Sequence, residues 1–307
     1  MKKVAVFNDI SGFGKCSLTA AIPVLSVMGV QCCPIPSAVL TAQTGYDYYK
    51  VTDLTAMIPD FTEAWKKNKA SFDGIYSGFM TGKEQLNLFL DFLKEFNKDD
   101  TFLLVDPVMG DDGETYSIYS QDLLDGMKTL TKQANLITPN LTEACLLAGL
   151  DAKDIHSFSD TDELLGFSED IAVKLRAQAD CEQDVVITGI KPVGNSSSFI
   201  YNLAVTNNGS FKQRSHFFDR SFSGTGDLFA SVLCGCRIND ISTEEAIGLA
   251  SSFIYHSIAD TVNDDTADVE GVNFEKFLGE LIPKKKIPDF FYVTLPSFKF
   301  VMAPHHF

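Results

Sequence analysis

A glycine loop runs directly into a carboxylate in the stretch SFSGTGDLFA, residues 221–230. The apolar residues that follow predict a helix, so the backbone N–H groups of Gly224, Thr225 and Gly226 would point outward at its N-terminus. These amides and the helix dipole together favour an anion. Asp227 adds a group that can accept a proton from an incoming hydroxyl. The stretch therefore combines an anion-binding nest with a candidate general base.

The same stretch also has a structural interpretation. A carboxylate is favourable in the first turn of a helix, and Asp227 would then interact only with the dipole. Thr225 or Ser223 would be the N-cap. Because the dipole stabilises an anion by only about 0.3–2 kcal/mol, a helix end alone does not make an enzyme, and other residues must decide between the two interpretations.

Side chains with hard oxygen atoms follow two other apolar strands. They are Asp106, Asp111, Asp112 and Glu114 after the first strand, and Asn140 and Glu143 after the second. Such groups suit Mg²⁺ beside phosphates, because Mg²⁺ takes one or two carboxylates and keeps several waters. A solvated acidic turn explains Asp112 and Glu114 better. It does not explain Asp106, which precedes a proline in an apolar strand.

The motif GFGKCS at 12–17 resembles two nucleotide-binding loops but matches neither of them. A Walker A loop needs glycine where Asp9 stands and Ser or Thr where Cys16 stands. A dinucleotide fingerprint needs glycine in place of Ser17 and an acid about 20 residues later, in a stretch that has none. The two glycines indicate either a tight turn or close approach of a ligand to the backbone.

Composition argues against several classes of protein. The 307 residues carry 25 Lys and Arg against 41 Asp and Glu, a net charge of −16. Since such a chain repels phosphate backbones, we expect no nucleic-acid partner and no anionic membrane partner. Seven cysteines without a CxxC pair predict reduced thiols and a cytoplasmic protein. No targeting segment and no apolar span of about 18 residues is evident.

Short β-branched runs alternate with longer helical patterns. The predicted strands are 3–8, 30–36, 72–79, 101–110, 135–140 and 184–190, with a hairpin at 197–204 and 211–218. The predicted helices are 15–29, with a kink or late start at Pro23, then 54–67, 83–96, 121–134, 141–150, 161–179 and 242–261, where Ser242 and Glu245 fit a capping box. This alternation predicts an α/β fold, with a mostly parallel central sheet covered by helices on both faces. Residues 1–307 show no linker and are expected to form a single domain.

Ligands of such sheets lie beyond the carboxyl ends of the strands. The segments that follow the strands are therefore expected to share one edge with the glycine loop. They are NDISG, AQTGY, SGFMTG, DPVMGDDG, TPNLTE, TGIK and SGTGD.

Taken in chain order, the motifs in these segments resemble those of the ribokinase-like superfamily and, within it, those of the pyridoxal (vitamin B6) kinases. The resemblance rests on GTGDLFA, DPVMGD, ITPN with NLTE, SGF and QTGY, and it covers about residues 3–262. GTGD with DPVMGD is specific to the superfamily, whereas TGY at 44–46 and SGF at 77–79 point to the B6 branch. Hydroxymethylpyrimidine kinases share the scaffold, but their bifunctional forms carry cysteine where this chain has Asp227.

The resemblance implies ATP-dependent phosphorylation of the hydroxymethyl group of pyridoxal, pyridoxine or pyridoxamine. Asp227 would be the catalytic base, and Gly224, Thr225 and Gly226 would hold the transferring phosphoryl group. The resemblance also implies two groups of cation and nucleotide residues. These are Asp111, Asn140 and Glu143 for Mg²⁺ and the ATP phosphates, and Asp106, Thr138 and Thr188 for a monovalent cation such as K⁺ and the phosphate tail.

Five residues would bind the vitamer by the same resemblance. Thr44 and Tyr46 fit the family's substrate loop as they stand. Asn8 stands where the family often has a serine that touches the pyridine ring, Gln43 where it often has histidine, and Phe79 where tyrosine is frequent. These departures concern ring recognition and not phosphoryl transfer.

The resemblance further implies a homodimer, and it places the adenine pocket near residues 190–220 and 255–265. The apolar C-terminal segment, residues 291–307, is expected to pack on the domain or on a partner subunit. Two alternatives stay open. One is a hydroxymethylpyrimidine or sugar kinase on the same scaffold, and the other is a ligand-binding protein that keeps the fold without turnover.

Overall fold

The computed structural model describes residues 1–117, 119–194, 199–218, 220–264 and 266–283. The C-terminal segment and the first two residues of the predicted hairpin lie outside these ranges. The strands are β1 (Lys3–Ser11), β2 (Gln31–Leu40), β3 (Val51–Asp53), β4 (Gly74–Ser77), β5 (Phe102–Val105), β6 (Gly110–Asp111), β7 (Glu114–Thr115), β8 (Leu136–Ile137), β9 (Asp184–Ile190), β10 (Phe199–Thr206) and β11 (Gly209–His216). The helices are α1 (Ser17–Val27), α2 (Ile58–Lys67), α3 (Lys83–Phe96), α4 (Gln121–Lys132), α5 (Leu141–Ala148), α6 (Thr161–Ala177), α7 (Thr225–Ile238) and α8 (Thr243–Thr261).

The central sheet has nine strands in the order β11-β10-β9-β8-β5-β4-β1-β2-β3. The strands from β9 to β2 pair in parallel. Antiparallel pairs occur towards both edges, where β2 meets β3 and where β9, β10 and β11 meet. The predicted mostly parallel sheet is therefore confirmed, and so is the hairpin that ends it.

Alternate side chains of the central strands enter two separate cores. In β1, Ala5 and Phe7 pack with α2 to α6, while Val4 and Val6 pack with α1, α7 and α8. These four side chains are at most 1% exposed. Helices thus cover both faces of the sheet, which explains why its central strands are almost continuously apolar.

Some predicted strands have different bounds. The strand predicted at 101–110 ends at Val105, because Pro107 has no N–H for a ladder and Val108 has a left-handed φ of 39°. Strand β3 and the small β6–β7 hairpin were not predicted, since runs of two or three residues carry no clear periodicity.

The predicted helices are confirmed; the helix at 83–96 has the predicted bounds, and the ends of the others are shifted. The helix predicted at 54–67 begins at Ile58 with a proline in its first turn, after a 3₁₀ turn at Thr55–Met57. The late start at Pro23 is wrong, since α1 begins at Ser17 and continues through the proline. Across the described ranges, no helix combines the length and hydropathy that a membrane span needs.

Helix α8 begins at its predicted N-cap. The Ser242 hydroxyl oxygen accepts a hydrogen bond from the Glu245 backbone N–H at 3.2 Å. We expect Ser242→Ala to lower the free energy of unfolding by about 0.5–2 kcal/mol, because that N–H loses its partner. Urea denaturation checks this, with Ser252→Ala as the control because Ser252 is exposed within the same helix. Equal stability of the two variants would contradict a role for the cap.

Candidate active site

The glycine loop forms the N-terminus of α7, as predicted. Gly224 is the N-cap with a φ of 78°, and a β-carbon here would collide with the Lys15 carbonyl oxygen. Only glycine satisfies both the left-handed backbone and this close approach. No side chain of the described residues caps the helix, and the Thr225 hydroxyl instead donates to the Phe222 carbonyl at 3.1 Å. The interpretation with Thr225 or Ser223 as the cap is therefore wrong.

Asp227 lies in the first turn of α7 and is half-buried. The side-chain amide of Asn8 donates to its Oδ1 at 3.1 Å. Burial raises the pKa of Asp227 to about 6, and the charge of Asp9 adds to this, while hydrogen bonds from the Ser17 backbone and from Asn8 act in the opposite direction. A carboxylate with this pKa is ionised at pH 7 and more basic than an ordinary aspartate, which suits proton acceptance.

Asn140 and Glu143 form a reciprocal capping box at the start of α5. Glu143 Oε2 accepts from the Asn140 N–H at 2.8 Å, and Asn140 Oδ1 accepts from the Glu143 N–H at 2.9 Å. Glu143 Oε1 accepts from the Met109 N–H at 2.8 Å, so both carboxylate oxygens already face backbone amides. Burial nevertheless raises the pKa of Glu143 to about 7. The Gly110 backbone also hydrogen-bonds this carboxylate, so three backbone groups face Glu143.

Asp106 is a buried acid beside this box. Its Oδ1 accepts a hydrogen bond from the Thr138 hydroxyl at 3.2 Å. Burial raises the pKa of Asp106, and the charges of Glu143 and Asp227 raise it further. Among the described residues, no ion pair involves Asp106, Glu143 or Asp227.

A cation would relieve the repulsion among these acids. Within the described ranges, no three His, Cys, Asp or Glu side chains come close enough to hold a metal ion by themselves. The oxygen atoms of these side chains are hard donors, the type that Mg²⁺ prefers.

Of the remaining predicted nucleotide residues, Thr188 lies within strand β9 and Asp111 lies on the β6–β7 hairpin. Thr188 forms an isolated parallel β-bridge with Asn140. Asp111 is exposed on the β6–β7 hairpin, where its Oδ1 accepts from the Asp112 N–H at 2.9 Å. Asp112 and Glu114 are exposed, in agreement with a solvated turn.

Gln43 joins three loops. Its Nε2 donates to the Val269 carbonyl at 2.5 Å and to the Ser223 hydroxyl at 3.3 Å, and its Oε1 accepts from the Gly45 N–H at 2.8 Å. The residue is only 7% exposed. The side chain thus ties the predicted substrate loop to the segment before α7, and its contact with a vitamer stays a prediction.

The other predicted substrate residues differ in exposure. Thr44 is exposed, and Phe79 is half-buried. Tyr46 is half-buried, with its ring centroid 5.0 Å from that of Phe13, a residue that was not predicted and is 53% exposed. Asn8 is fully buried, and its Oδ1 accepts from the Phe79 N–H at 2.9 Å.

Residues 16–270 match the model of the phosphomethylpyrimidine kinase family. The chain belongs to this family. A structure from Bacteroides thetaiotaomicron, described as a phosphomethylpyrimidine kinase and solved with pyridoxal, is 34% identical with a TM-score of 0.83, covering 91% of this chain and 95% of that one. The pyridoxal kinase of Lactobacillus plantarum is 26% identical with a TM-score of 0.81, over 92% and 97% of the two chains. The pyridoxal kinase of Dictyostelium discoideum is 26% identical over 264 residues, 81% of this chain and 82% of the relative.

These likenesses confirm the predicted resemblance to ribokinase-like pyridoxal kinases, and the protein is a kinase. The family match contains the segments GTGD, DPVMGD, ITPN, SGF and QTGY that carried the prediction.

One acid of this kinase was not predicted as a site residue. Asp9 is 6% exposed and accepts hydrogen bonds from the hydroxyls of Ser17 at 2.6 Å and Ser11 at 3.2 Å. Burial raises its pKa despite these bonds. Its charge acts on Asp227, so it belongs to the surroundings of the candidate base. The sequence feature that could have indicated Asp9 is the polar pair Asn8-Asp9 inside the mostly apolar strand KVAVFNDIS.

Proposed function

We propose that this kinase transfers the γ-phosphoryl group of ATP to the hydroxymethyl group of pyridoxal, pyridoxine or pyridoxamine. The observation that carries the proposal is the side-chain-uncapped N-terminus of α7 beside the Asp227 carboxylate. An open set of amides next to a base suits the phosphoryl group and the alcohol that receives it. The names of the relatives, and the pyridoxal in the Bacteroides structure, support a B6 vitamer as the acceptor.

The chain contributes position and charge to this reaction. The vitamer hydroxyl lies between Asp227 and the nest, and Asp227 takes its proton as the oxygen attacks the γ-phosphorus. The new O–P bond forms while the bond from phosphorus to the bridging oxygen of ADP breaks, and ADP leaves with that electron pair. The amides of Gly224, Thr225 and Gly226 hold the migrating group and stabilise its charge.

Cations complete the proposal. Asp111, Asn140 and Glu143 would hold Mg²⁺ and the phosphates, and Mg²⁺ when bound would neutralise phosphate charge. Asp106, Thr138 and Thr188 would surround a monovalent cation such as K⁺ and the phosphate tail. The buried acids without a positive partner support these assignments.

The substrate loop and the assembly belong to the same proposal. Thr44, Tyr46 and Phe79 would line the vitamer site, with Gln43 holding the loop. A homodimer would cover the exposed hydrophobic side chains near the β3 edge. These are Val39, Tyr48, Tyr49, Val51 and Met57.

A substrate panel tests the function. Purified protein is given radiolabelled ATP and Mg²⁺ with the three B6 vitamers, hydroxymethylpyrimidine or ribose. We expect phosphorylated vitamer as the main product. Because the family model is described as a phosphomethylpyrimidine kinase, hydroxymethylpyrimidine is the second candidate acceptor. Turnover of a sugar alone, or no turnover of any acceptor, would overturn the proposal.

The pH dependence of the reaction follows from Asp227. Its pKa of about 6 means that the carboxylate is the main form above pH 6 and the acid below it. Since only the carboxylate accepts a proton, we expect kcat/KM for the vitamer to fall about tenfold per pH unit below pH 6. Initial rates between pH 4.5 and 8 at saturating ATP check this. A flat profile through pH 6 would argue against Asp227 as the base.

A further inference from the structure

Asn8 is completely buried beside Asp227. It is 0% exposed, so no ligand atom can touch it in this arrangement. Its Oδ1 accepts two backbone hydrogen bonds, from the Asp9 N–H at 3.0 Å and the Phe79 N–H at 2.9 Å. Its Nδ2 donates to Asp227 Oδ1 at 3.1 Å.

The two backbone donors determine which way this amide faces. Only the carbonyl oxygen of Asn8 can accept from the Asp9 and Phe79 N–H groups, so its NH₂ group must point at Asp227. The orientation therefore follows from the network and does not depend on an arbitrary choice between oxygen and nitrogen. This bond holds Asp227 Oδ1, and the Ser17 backbone N–H donates to the same carboxylate.

Gly78 makes room for the same amide. A β-carbon at Gly78 would collide with Asn8 Nδ2 and would lie 2.6 Å from its Cγ. The glycine of the SGF motif is thus explained by the amide that packs against it. Strand β1 and the loop after β4 together hold the amide at the N-terminus of α7.

We propose that Asn8 is a positioning residue for phosphoryl transfer, which aims the Asp227 carboxylate and does not contact the vitamer ring. This inference rests on the proposed role of Asp227 as base. A hydrogen bond from a neutral amide to a carboxylate restricts its rotation and stabilises its ionised form. The bond matters more here because the ionisable groups around Asp227 are acidic. These groups are Asp9, Asp106, Tyr76, Cys16 and Tyr116.

Two substitutions of Asn8 test this. In Asn8→Ala the carboxylate loses its side-chain donor and keeps only the Ser17 backbone donor, so we expect kcat to fall about ten- to a hundredfold, while KM for the vitamer changes by less than about twofold. Asn8→Asp keeps the shape and places a second acid against Asp227, so the acid limb of the rate profile should move to higher pH. A large rise in KM at unchanged kcat would show instead that Asn8 contacts the ring, and would overturn the inference.

Gly78→Ala should displace the Asn8 side-chain amide while leaving residue 8 as asparagine. We expect this variant to lower kcat about as much as Asn8→Ala does. The double variant should have a kcat no lower than that of either single variant, because both substitutions remove the same contact. Gly248→Ala is the matched control, since a β-carbon there meets nothing within 4 Å. Additive losses in kcat would contradict a shared contact.

Asp227→Asn separates this inference from the proposed function. If Asp227→Asn is inactive while Asn8→Ala and Asn8→Asp keep the parent kcat and pH profile, only the positioning role fails. If Asp227→Asn is fully active, the proposed base fails and the inference fails with it. Thermal melts of every variant confirm that rates are compared between folded proteins.

Discussion

Asp227→Asn is expected to lower kcat for vitamer phosphorylation by at least about a hundredfold, while ATP binding is retained. The amide has nearly the shape of the carboxylate but cannot accept the substrate proton, and a positioned general base contributes typically about 10²–10⁴-fold. The nest amides and the acids around Asp106 stay in place, so the nucleotide keeps its proposed contacts. Steady-state kinetics and calorimetric titration with ATP measure the two quantities.

The control for Asp227→Asn is Asp170→Asn. Asp170 is exposed on α6, and its variant should keep the parent kcat. A parent-like kcat in Asp227→Asn would refute the base assignment. Loss of both kcat and ATP binding would point to damage of the nucleotide site and not to a missing base.

Gly224→Ala is expected to reduce kcat by at least about a hundredfold and to lower the melting temperature. A side chain at a φ of 78° costs about 1–2 kcal/mol. The added β-carbon also collides with the Lys15 carbonyl oxygen, which belongs to backbone and cannot swing away. The loop must therefore shift, and the proposed phosphoryl-binding amides shift with it. Removing one such donor in other enzymes costs about 10²–10³-fold in kcat.

Activity and stability must be separated in this variant. Gly248→Ala serves again as control, because alanine in an uncrowded helix interior is expected to raise stability by about 0.5–1 kcal/mol. Rates of Gly224→Ala are measured well below its own melting temperature, so that the loss in kcat refers to folded protein. Parent-like kinetics in folded Gly224→Ala would rule out a role for this loop geometry in the reaction.

The order of helices and strands followed from local patterns. Long amphipathic stretches such as α3 and continuous apolar runs such as β1 are recognisable because periodicity over many residues reports which face is buried. Short elements were missed, since β3 and the β6–β7 hairpin depend on a partner strand more than on their own residues. The predicted end of β5 was wrong because Pro107 and Val108 end the strand within a stretch whose residues remain mostly apolar.

The sequence indicated which polar residues follow the strands, but not which hydrogen bonds their side chains make. Glu143 was expected to face a cation, yet its two oxygens first accept backbone N–H groups in a capping box. Gln43 was expected at the vitamer and is tied to Val269 and Ser223. Spacing shows that a polar residue follows a strand, but not whether a neighbouring loop supplies its hydrogen-bond partner.

By itself, the sequence of this kinase determined which residues gather at the carboxyl edge of the sheet, because parallel strands joined by helices bring their ends to one side. It also indicated where α7 begins, since glycines precede the apolar helical run. Only the tertiary structure decided the surroundings of Asp227 and its hydrogen bond with Asn8. Those two residues are 219 positions apart, and the pKa of a carboxyl depends on burial and on neighbours that folding alone brings into contact.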